Sequence, residues 1–229
     1  MSIMRLYHGS DRILSKPQKQ LGKPNNDYGQ GFYLSSEPQL AGEWACMKGK
    51  DGFVSEYGLE TSDLRILRLE KPYHILHWLT LLLKHRRFDM KSPLMVQAKE
   101  HLLSRYSIPT EDYDVIIGYR ADDSYFSFAE DFLSNQITLE QLSQAMTLGK
   151  LGHQVFVQSE RAFASLTYLS AIQVEAKLHY YSFRARDEAA RNRYLERRRT
   201  SVTEGRYMID LLRKDGADRD IRIPEIVFE

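Results

Sequence analysis

Short apolar runs, many of them alternating with polar residues, are separated by segments rich in Gly, Pro and Asn over most of the chain. A period of two residues is typical of half-buried strands, and a spacing of three to four residues is typical of helices. We therefore expect strands at about 4–7, 32–34, 53–59, 64–69, 113–118, 154–158 and 168–174. Helices are expected at about 36–47, 73–88, 126–133, 138 onward and 159–166. The chain should thus mix strands and helices.

Two of the expected helices have recognisable starts. Ser36 is a favourable N-cap and Pro38 suits a first turn, so Ser36 is predicted to cap the first helix. Thr138 and Gln141 have the spacing of a capping box. The helix over 73–88 is expected to turn one side towards the core, formed by Leu76, Leu79, Leu82 and Leu83.

The character of the chain changes at Ala176, and we divide it into a first unit, 1–175, and a basic, mostly helical extension, 176–229. Residues 184–199 predict a long helix without an apolar stripe, and 203–213 predict a second helix. A short apolar alternation follows at 221–228. We favour a solvated face for the Arg-rich helix; docking of an acidic protein or of nucleic-acid phosphates is the second interpretation.

Composition narrows the class of protein. The 229 residues are 42% hydrophobic and 28% charged, which is ordinary for a globular protein with a sizeable core. A formal net charge of +1 gives no overall signal for nucleic acid. The single cysteine, Cys46, favours a reducing compartment and is interpreted as a buried apolar side chain, and no signal peptide or membrane span is visible. A cytoplasmic location is therefore expected.

Histidines offer no metal site. His74, His77 and His85 fall on the helix expected at 73–88, but their spacing does not place all three on one face. No acidic residue stands at metal-ligand spacing, so no metal is predicted.

Two separated phrases carry the candidate chemistry. Residues 6–10 read Leu-Tyr-His-Gly-Ser, and 27–35 read Asp-Tyr-Gly-Gln-Gly-Phe-Tyr-Leu-Ser. A histidine at a strand end can hydrogen-bond a ribose hydroxyl, and a glycine after it leaves the backbone open to a carboxamide. A tyrosine can stack on a pyridine ring. Taken singly, these residues are more typical of a strand end, a turn and a core aromatic.

Together the two phrases resemble the first two motifs of the His-Tyr branch of the ADP-ribosyltransferase superfamily, which includes diphtheria-toxin-like enzymes and poly(ADP-ribose) polymerases. The resemblance implies that His8 contacts the NAD+ ribose, that Gly9 pairs with the carboxamide and that Tyr33 stacks on nicotinamide. The third motif of that branch is a catalytic Glu before a strand, and Gln154 stands at the matching place. The residues implied in NAD+ binding are His8, Gly9, Ser10, Gly31, Phe32, Tyr33 and Asp122, and the catalytic set is His8, Tyr33 and Gln154.

Further blocks at 113–123, 137–140 and 153–162 resemble one bacterial family, long labelled a domain of unknown function within this superfamily and often encoded in toxin–antitoxin or phage-defence loci. The resemblance covers about 4–175. It implies an α+β fold: a split β-sandwich of two small, mostly antiparallel sheets with NAD+ in the cleft between them, and helices around it. An antitoxin protein is the implied partner.

Gln154 is the main departure from the glutamate enzymes. Gln can hydrogen-bond a ribose hydroxyl but carries no charge, and loss of one stabilising group costs roughly 3 kcal/mol in the transition state. Either the acceptor supplies its own nucleophile or another acid assists, and the candidates for that acid are Glu160 and Asp122, followed by Asp123. The expected function is mono-ADP-ribosylation of an intracellular macromolecule by a toxin or defence effector. The alternatives are a non-catalytic module that binds NAD+, ADP-ribose or a partner, and an NAD glycohydrolase.

Overall fold

A computed structural model describes residues 2–69, 74–121, 123–145, 153–200 and 205–214. The fold is α+β, as expected. All seven expected strands are confirmed, with ends that shift by a few residues. The strands are β1 (Ile3–Ser10), β2 (Phe32–Ser35), β3 (Gly52–Glu60), β4 (Ile66–Arg68), β5 (Val115–Tyr119), β6 (His153–Val157) and β7 (Leu166–Val174). The helices are α1 (Pro38–Cys46), α2 (Ile75–His85), α3 (Pro93–Arg105), α4 (Asp123–Leu133), α5 (Leu139–Ala145), α6 (Glu160–Ala164), α7 (Ala176–Thr200) and α8 (Met208–Lys214).

The described strands form one mixed sheet in the order β4-β5-β6-β2-β1-β3-β7, which corrects the expectation of two separate sheets. Only β4 and β5 run parallel among these strands. The sheet is narrowest at its centre, because β1 and β2 are paired at Tyr7 and Ser35 alone. By contrast, β1 pairs with β3 along its whole length, from Ile3 to Ser10. The two halves of the sheet are thus joined over one residue pair and separate beyond it.

The strand period of two residues divides the core between the two faces of the sheet. Ile116 and Phe156 belong to the larger core cluster, which α2, α3, α4 and α5 cover. Val115, Ile117 and Val155 belong to the opposite cluster. Both faces of β5 and β6 are therefore buried, which explains why their sequences are continuous apolar runs.

Helix α2 is more buried than its pattern predicts. The four leucines expected on one side are buried, and so are Trp78 and Leu81 on other sides. A helix that is apolar all round belongs inside a core, and α2 lies between the sheet and α3. Helix α3 itself was not expected from the sequence; it buries only Met95, Ala98 and Leu102, and Ser92 caps it by accepting from the Met95 N–H.

The predicted helix starts have different outcomes. The capping box is confirmed: Thr138 Oγ1 accepts from the Gln141 N–H at 3.1 Å, and Gln141 Oε1 accepts from the Thr138 N–H at 2.8 Å. The predicted cap on α1 was wrong: the N-cap residue is Glu37, whose side chain makes no capping hydrogen bond, and Ser35 Oγ accepts from the Glu37 N–H at 3.0 Å. Cys46 is buried as expected, and burial raises the pKa of its thiol.

The extension shares the core of the first unit. Helix α7 begins earlier than predicted and buries Ala190 and Tyr194 in the larger cluster. The Tyr194 hydroxyl donates to Asp131 Oδ2 at 2.5 Å, and Arg186 forms an ion pair with Glu43 on α1. The short element expected at 221–228 lies outside the described residues. Within the described parts of the chain, no helix combines the length and the apolar character that crossing a membrane requires.

Candidate functional site

A cleft of about 700 Å³ opens where β1 and β2 separate. Its walls come from the end of β1, the segment 11–27, the start of β2, the end of α1 and the residues that follow α2 and β5. Seven of the eight residues implicated by the sequence line it: His8, Gly9, Ser10, Gly31, Phe32, Tyr33 and Gln154. The eighth, Asp122, lies outside the described residues. Three motifs far apart in the sequence therefore meet at one place.

His8 is held at the junction of the two strands. Its Nδ1 lies 2.7 Å from the carbonyl oxygen of Tyr33, and since a carbonyl only accepts, Nδ1 carries a hydrogen. Burial lowers the pKa of His8, against the opposite effect of this hydrogen bond, so the ring is neutral near pH 7. Phe32 lies against the ring, with centroids 4.4 Å apart. The imidazole is therefore fixed with Nε2 as its acceptor.

Gly9 allows close packing and leaves a strand edge open. A Cβ at this position would lie 1.7 Å from the carbonyl oxygen of Ala41, so only glycine lets α1 approach β1 here. Among the described strands, β2 does not pair with β1 beyond Tyr7, and alternate backbone groups of 8–10 therefore face the cleft side without a strand partner. The Ser10 hydroxyl is engaged locally, since it donates to the Arg12 carbonyl at 2.5 Å.

Tyr33 is fixed through its hydroxyl group. The hydroxyl donates to the Gly29 carbonyl at 2.8 Å and accepts from the Tyr28 N–H at 3.0 Å. Gly29 has a φ of +96°, a conformation that favours glycine, and closes the turn that brings both groups to Tyr33. The ring packs on Phe156 with centroids 4.7 Å apart. Burial raises the pKa of Tyr33, so the hydroxyl is neutral.

Phe32 and Gly31 have supporting positions. Strand alternation sends Phe32 to the opposite core cluster from Tyr33, where it packs on His8 and on Tyr57 at 5.4 Å. A Cβ on Gly31 would lie 2.4 Å from the Phe156 ring. Both residues line the cleft, and their contacts also hold the strand that carries Tyr33.

Gln154 lies at the back of the cleft with 3% of its surface exposed. Its Nε2 donates to Asp27 Oδ2 at 2.9 Å and to the Tyr119 carbonyl at 3.1 Å. Tyr119 is the last residue of β5, and it lies beside the start of β6 through its pairing with His153. Sheet pairing therefore sets the position of Gln154, and two acceptors set the orientation of its amide.

Asp27 is one of the site residues that sequence reasoning missed, with Arg86 and Arg120. It is 5% exposed, lines the cleft and accepts at Oδ2 from Gln154 and from the Ala121 N–H at 3.0 Å. Burial raises the pKa of Asp27, opposed by these two hydrogen bonds and by the charges of Arg86 and Arg120. The sequence indicated only that an acid stands at the start of the second motif. Its contact with Gln154, 127 positions away, could not be predicted from the spacing of residues.

Of the acids expected to assist, only Glu160 has a side chain that the structure describes. Glu160 is exposed at the start of α6, which follows the far end of β6. It does not line the cleft, so it is wrong as the assisting acid. The side chain of Asp123 is not among those described.

Cations outnumber carboxylates on the walls. Arg86 Nη1 lies 3.4 Å from Asp27 Oδ1, and the Arg120 guanidinium lies over the Trp44 ring at 4.6 Å from its centroid. The described lining also includes two exposed lysines and one further acid, namely Lys23, Lys48 and Asp11. Among the described residues of the walls, four cations against two carboxylates favour an anionic ligand.

The comparisons with known proteins point to one family. Residues 4–168, well over half of the chain, match the family described as "Protein of unknown function (DUF3990)". Neither the curated proteins nor the solved structures include a match. The matched range starts at β1 and reaches into β7, and it contains the residues that line the cleft. The chain therefore belongs to the DUF3990 family of proteins of unknown function.

Proposed function

We propose that this protein is a mono-ADP-ribosyltransferase that cleaves NAD+ and transfers ADP-ribose to a macromolecule inside the cell. One observation carries the proposal: His8, Tyr33 and Gln154, from three motifs that resemble those of ADP-ribosyltransferases, line one cleft. NAD+ is a co-substrate in this proposal. The cleft volume of about 700 Å³ falls in the range of small-molecule sites.

The lining residues fit the parts of NAD+. His8 presents Nε2 as an acceptor for a ribose hydroxyl, and the half-buried ring of Tyr33 can stack on nicotinamide. The unpaired edge of β1 beside Gly9 offers backbone groups to the carboxamide. Arg86 and Arg120, with the exposed lysines, favour the diphosphate.

The reaction breaks the bond between C1′ of the ribose and the nicotinamide nitrogen, and nicotinamide leaves with the electron pair. Positive charge develops on the ribose in an oxocarbenium-like transition state. Gln154 orients the nicotinamide ribose. A nucleophile of the acceptor then forms the new bond to C1′ and releases its proton.

The test is transfer of labelled ADP-ribose. The protein is incubated with NAD+ labelled in the adenylate part and with bacterial lysate, and label is followed on protein, RNA and DNA. We expect transfer by the wild type and by Gln158→Ala, because Gln158 lies at the far end of β6 and donates to Thr110 and Tyr113. His8→Ala should abolish transfer. Equal behaviour of His8→Ala and wild type would contradict the proposal.

Because Gln154 carries no charge, there are two alternatives to a transferase. An NAD glycohydrolase would release nicotinamide without labelling any macromolecule. A binding module would be stabilised by NAD+ or ADP-ribose without turnover. Nicotinamide release and transfer are measured in the same incubation, and the unfolding temperature of the purified protein is measured with and without NAD+ or ADP-ribose. Together these measurements distinguish the three functions.

We also propose that the protein acts as a toxin or defence effector controlled by an antitoxin protein, which rests on the resemblance to a family found in such loci. Induced expression in a bacterial host should stop growth for the wild type and not for His8→Ala. Normal growth with wild-type protein at confirmed expression levels would contradict the toxin proposal and leave transferase activity to be judged by the labelling assay.

A further inference from the structure

We propose that Asp27 is a positioning residue that orients Gln154. Its negative charge acts through the side-chain amide of Gln154, in place of the charge that a glutamate supplies in related enzymes. The inference rests on the proposed function. It also gives a reason why residue 154 is Gln: the amide meets two acceptors, and a second carboxylate there would repel both of them.

The orientation of the amide follows from its neighbours. Asp27 Oδ2 and the Tyr119 carbonyl oxygen lie 2.9 Å and 3.1 Å from Gln154 Nε2, and a carbonyl can only accept. Both hydrogens of the amide are therefore committed. Oε1 is the atom of Gln154 left to meet the ribose, and an amide flipped by half a turn would place oxygen against two acceptors.

Asp27 is itself held in a fixed position. Its Oδ2 also accepts from the Ala121 N–H at 3.0 Å, and Oδ1 lies 3.4 Å from Arg86 Nη1. The second acceptor of the Gln154 amide is fixed too, since the Tyr119 carbonyl also accepts from the Tyr28 hydroxyl at 2.5 Å and from Trp78 Nε1 at 3.1 Å. A carboxylate fixed in this way cannot turn away from Gln154.

The charge reaches the cleft through the amide. A carboxylate that accepts from Nε2 polarises the amide and increases the negative charge on Oε1, and the effect is large where water is excluded. Asp27 and Gln154 are both almost fully buried. Burial raises the pKa of Asp27, and the charges of Arg86 and Arg120 oppose that rise and favour the carboxylate form; the neutral hydroxyls of Tyr28 and Tyr33 are nearby. An oxocarbenium-like centre opposite Oε1 is thereby stabilised.

The substitution Gln154→Glu distinguishes this arrangement from a simple missing glutamate. If residue 154 merely lacked a charge, the substitution would raise turnover. With Asp27 in place, the introduced carboxylate instead meets a carboxylate and a carbonyl, so turnover should fall by about 10-fold or more. Adding Asp27→Asn removes one of the two opposed charges and offers an amide, so the double variant recovers a substantial part of that loss.

The experiment measures nicotinamide release from NAD+ with kcat and KM separated, for the wild type and four variants. Asp27→Asn keeps an oxygen for Gln154 and loses the charge; we expect kcat to fall about 10- to 100-fold with KM for NAD+ changed less than about threefold. Asp114→Asn is the matched control, because Asp114 is a buried, Arg-paired aspartate outside the cleft, and its kcat should equal that of the wild type. Gln154→Glu and Asp27→Asn/Gln154→Glu complete the set.

The outcomes separate the two proposals. No nicotinamide release by the wild type would overturn the proposed function and this inference with it. Release at equal kcat by wild type and Asp27→Asn would overturn the inference alone, as would a Gln154→Glu variant faster than the wild type. Urea unfolding of each variant shows whether a fall in kcat comes from a folded protein, and the Gln154→Glu arm decides the question if Asp27→Asn does not fold.

Discussion

Asp27 and Asp114 are both buried aspartates beside an arginine, and their surroundings have opposite effects on them. Asp114 is 7% exposed; burial alone would raise its pKa, but hydrogen bonds from Arg161, Ser159 and the backbone of Arg65 lower it to about 2. Asp27 is 5% exposed, and its donors and nearby cations only partly oppose burial, so its pKa is raised.

The difference lies in how closely the positive charge approaches. Arg161 Nη2 donates directly to Asp114 Oδ2 at 2.5 Å, and Ser159 Oγ donates to Oδ1 at 2.6 Å. At Asp27 the nearest cation stands 3.4 Å away, and one of the donors is the amide of Gln154. Asp114 thus joins β5 to α6 and serves the fold. Asp27 retains an incompletely compensated charge beside a cleft, which is typical of functional carboxylates.

The first prediction concerns stability and has the largest expected effect. Asp114→Asn should lower the free energy of unfolding by about 3 kcal/mol, because it removes hydrogen bonds to a charged acceptor from three donors. Asp27→Asn should change it by less than about 1 kcal/mol, since the charge lost there was itself unfavourable to bury. Urea unfolding followed by circular dichroism measures both. Equal losses would remove the distinction between the two aspartates.

The second prediction follows from the lowered pKa of Asp114. Its folded value of about 2 lies below the ordinary value of 3.8, so its contribution is complete above the ordinary value and is lost as the pH falls towards 2. The loss amounts to about 2 kcal/mol. Unfolding measured at pH 5, 4 and 3 should show a steeper decline for wild type than for Asp114→Asn. Parallel curves would contradict the assignment. The pH dependence that Asp27 contributes has the opposite sign. Because its pKa is raised in the folded protein, its contribution to stability increases as the pH falls.

A third buried carboxylate tests whether the same reasoning extends to the Arg-rich helix. Glu43 is 3% exposed and pairs with Arg186 on α7. Arg186→Ala should lower the free energy of unfolding by about 2 kcal/mol, because it leaves the buried Glu43 carboxylate without its cation. The loss is smaller than for a fully buried pair, since Arg186 is partly exposed and water can take some of its place. Arg184→Ala, at an exposed position two residues earlier, should cost less than about 0.5 kcal/mol. Similar losses at the two positions would show that the Glu43–Arg186 pair adds no more stability than an exposed arginine.

The fourth prediction has the smallest expected effect. Tyr33→Phe keeps the ring and removes the hydroxyl shared by Tyr28 and Gly29, so stability should fall by about 1 kcal/mol. Because the ring that is proposed to stack on nicotinamide remains, KM for NAD+ should change less than about threefold. Tyr33→Leu, which keeps an apolar side chain without the ring, should raise KM about 10-fold or more. A Leu variant equal to Phe would argue against stacking.

Local patterns predicted much of the fold, because strand alternation and the capping box at Thr138 are properties of neighbouring residues. The resemblance selected residues that lie together in the cleft. What local patterns could not predict was set by distant contacts. Helix α3 has few buried apolar residues, so its pattern did not indicate a helix. The two halves of the sheet are joined at Tyr7 and Ser35 through the register of β1 and β2. The Asp27–Gln154 pair exists only because β6 lies beside β2.

The most direct test of the central claim, that the cleft between β1 and β2 binds NAD+, is calorimetric titration of NAD+ into the wild type, His8→Ala and Gln158→Ala. We expect saturable binding to the wild type and to Gln158→Ala with equal dissociation constants, and binding about 10-fold weaker or more to His8→Ala, because the fixed Nε2 acceptor is lost. Absence of binding to the wild type, or equal affinity of all three proteins, would contradict it.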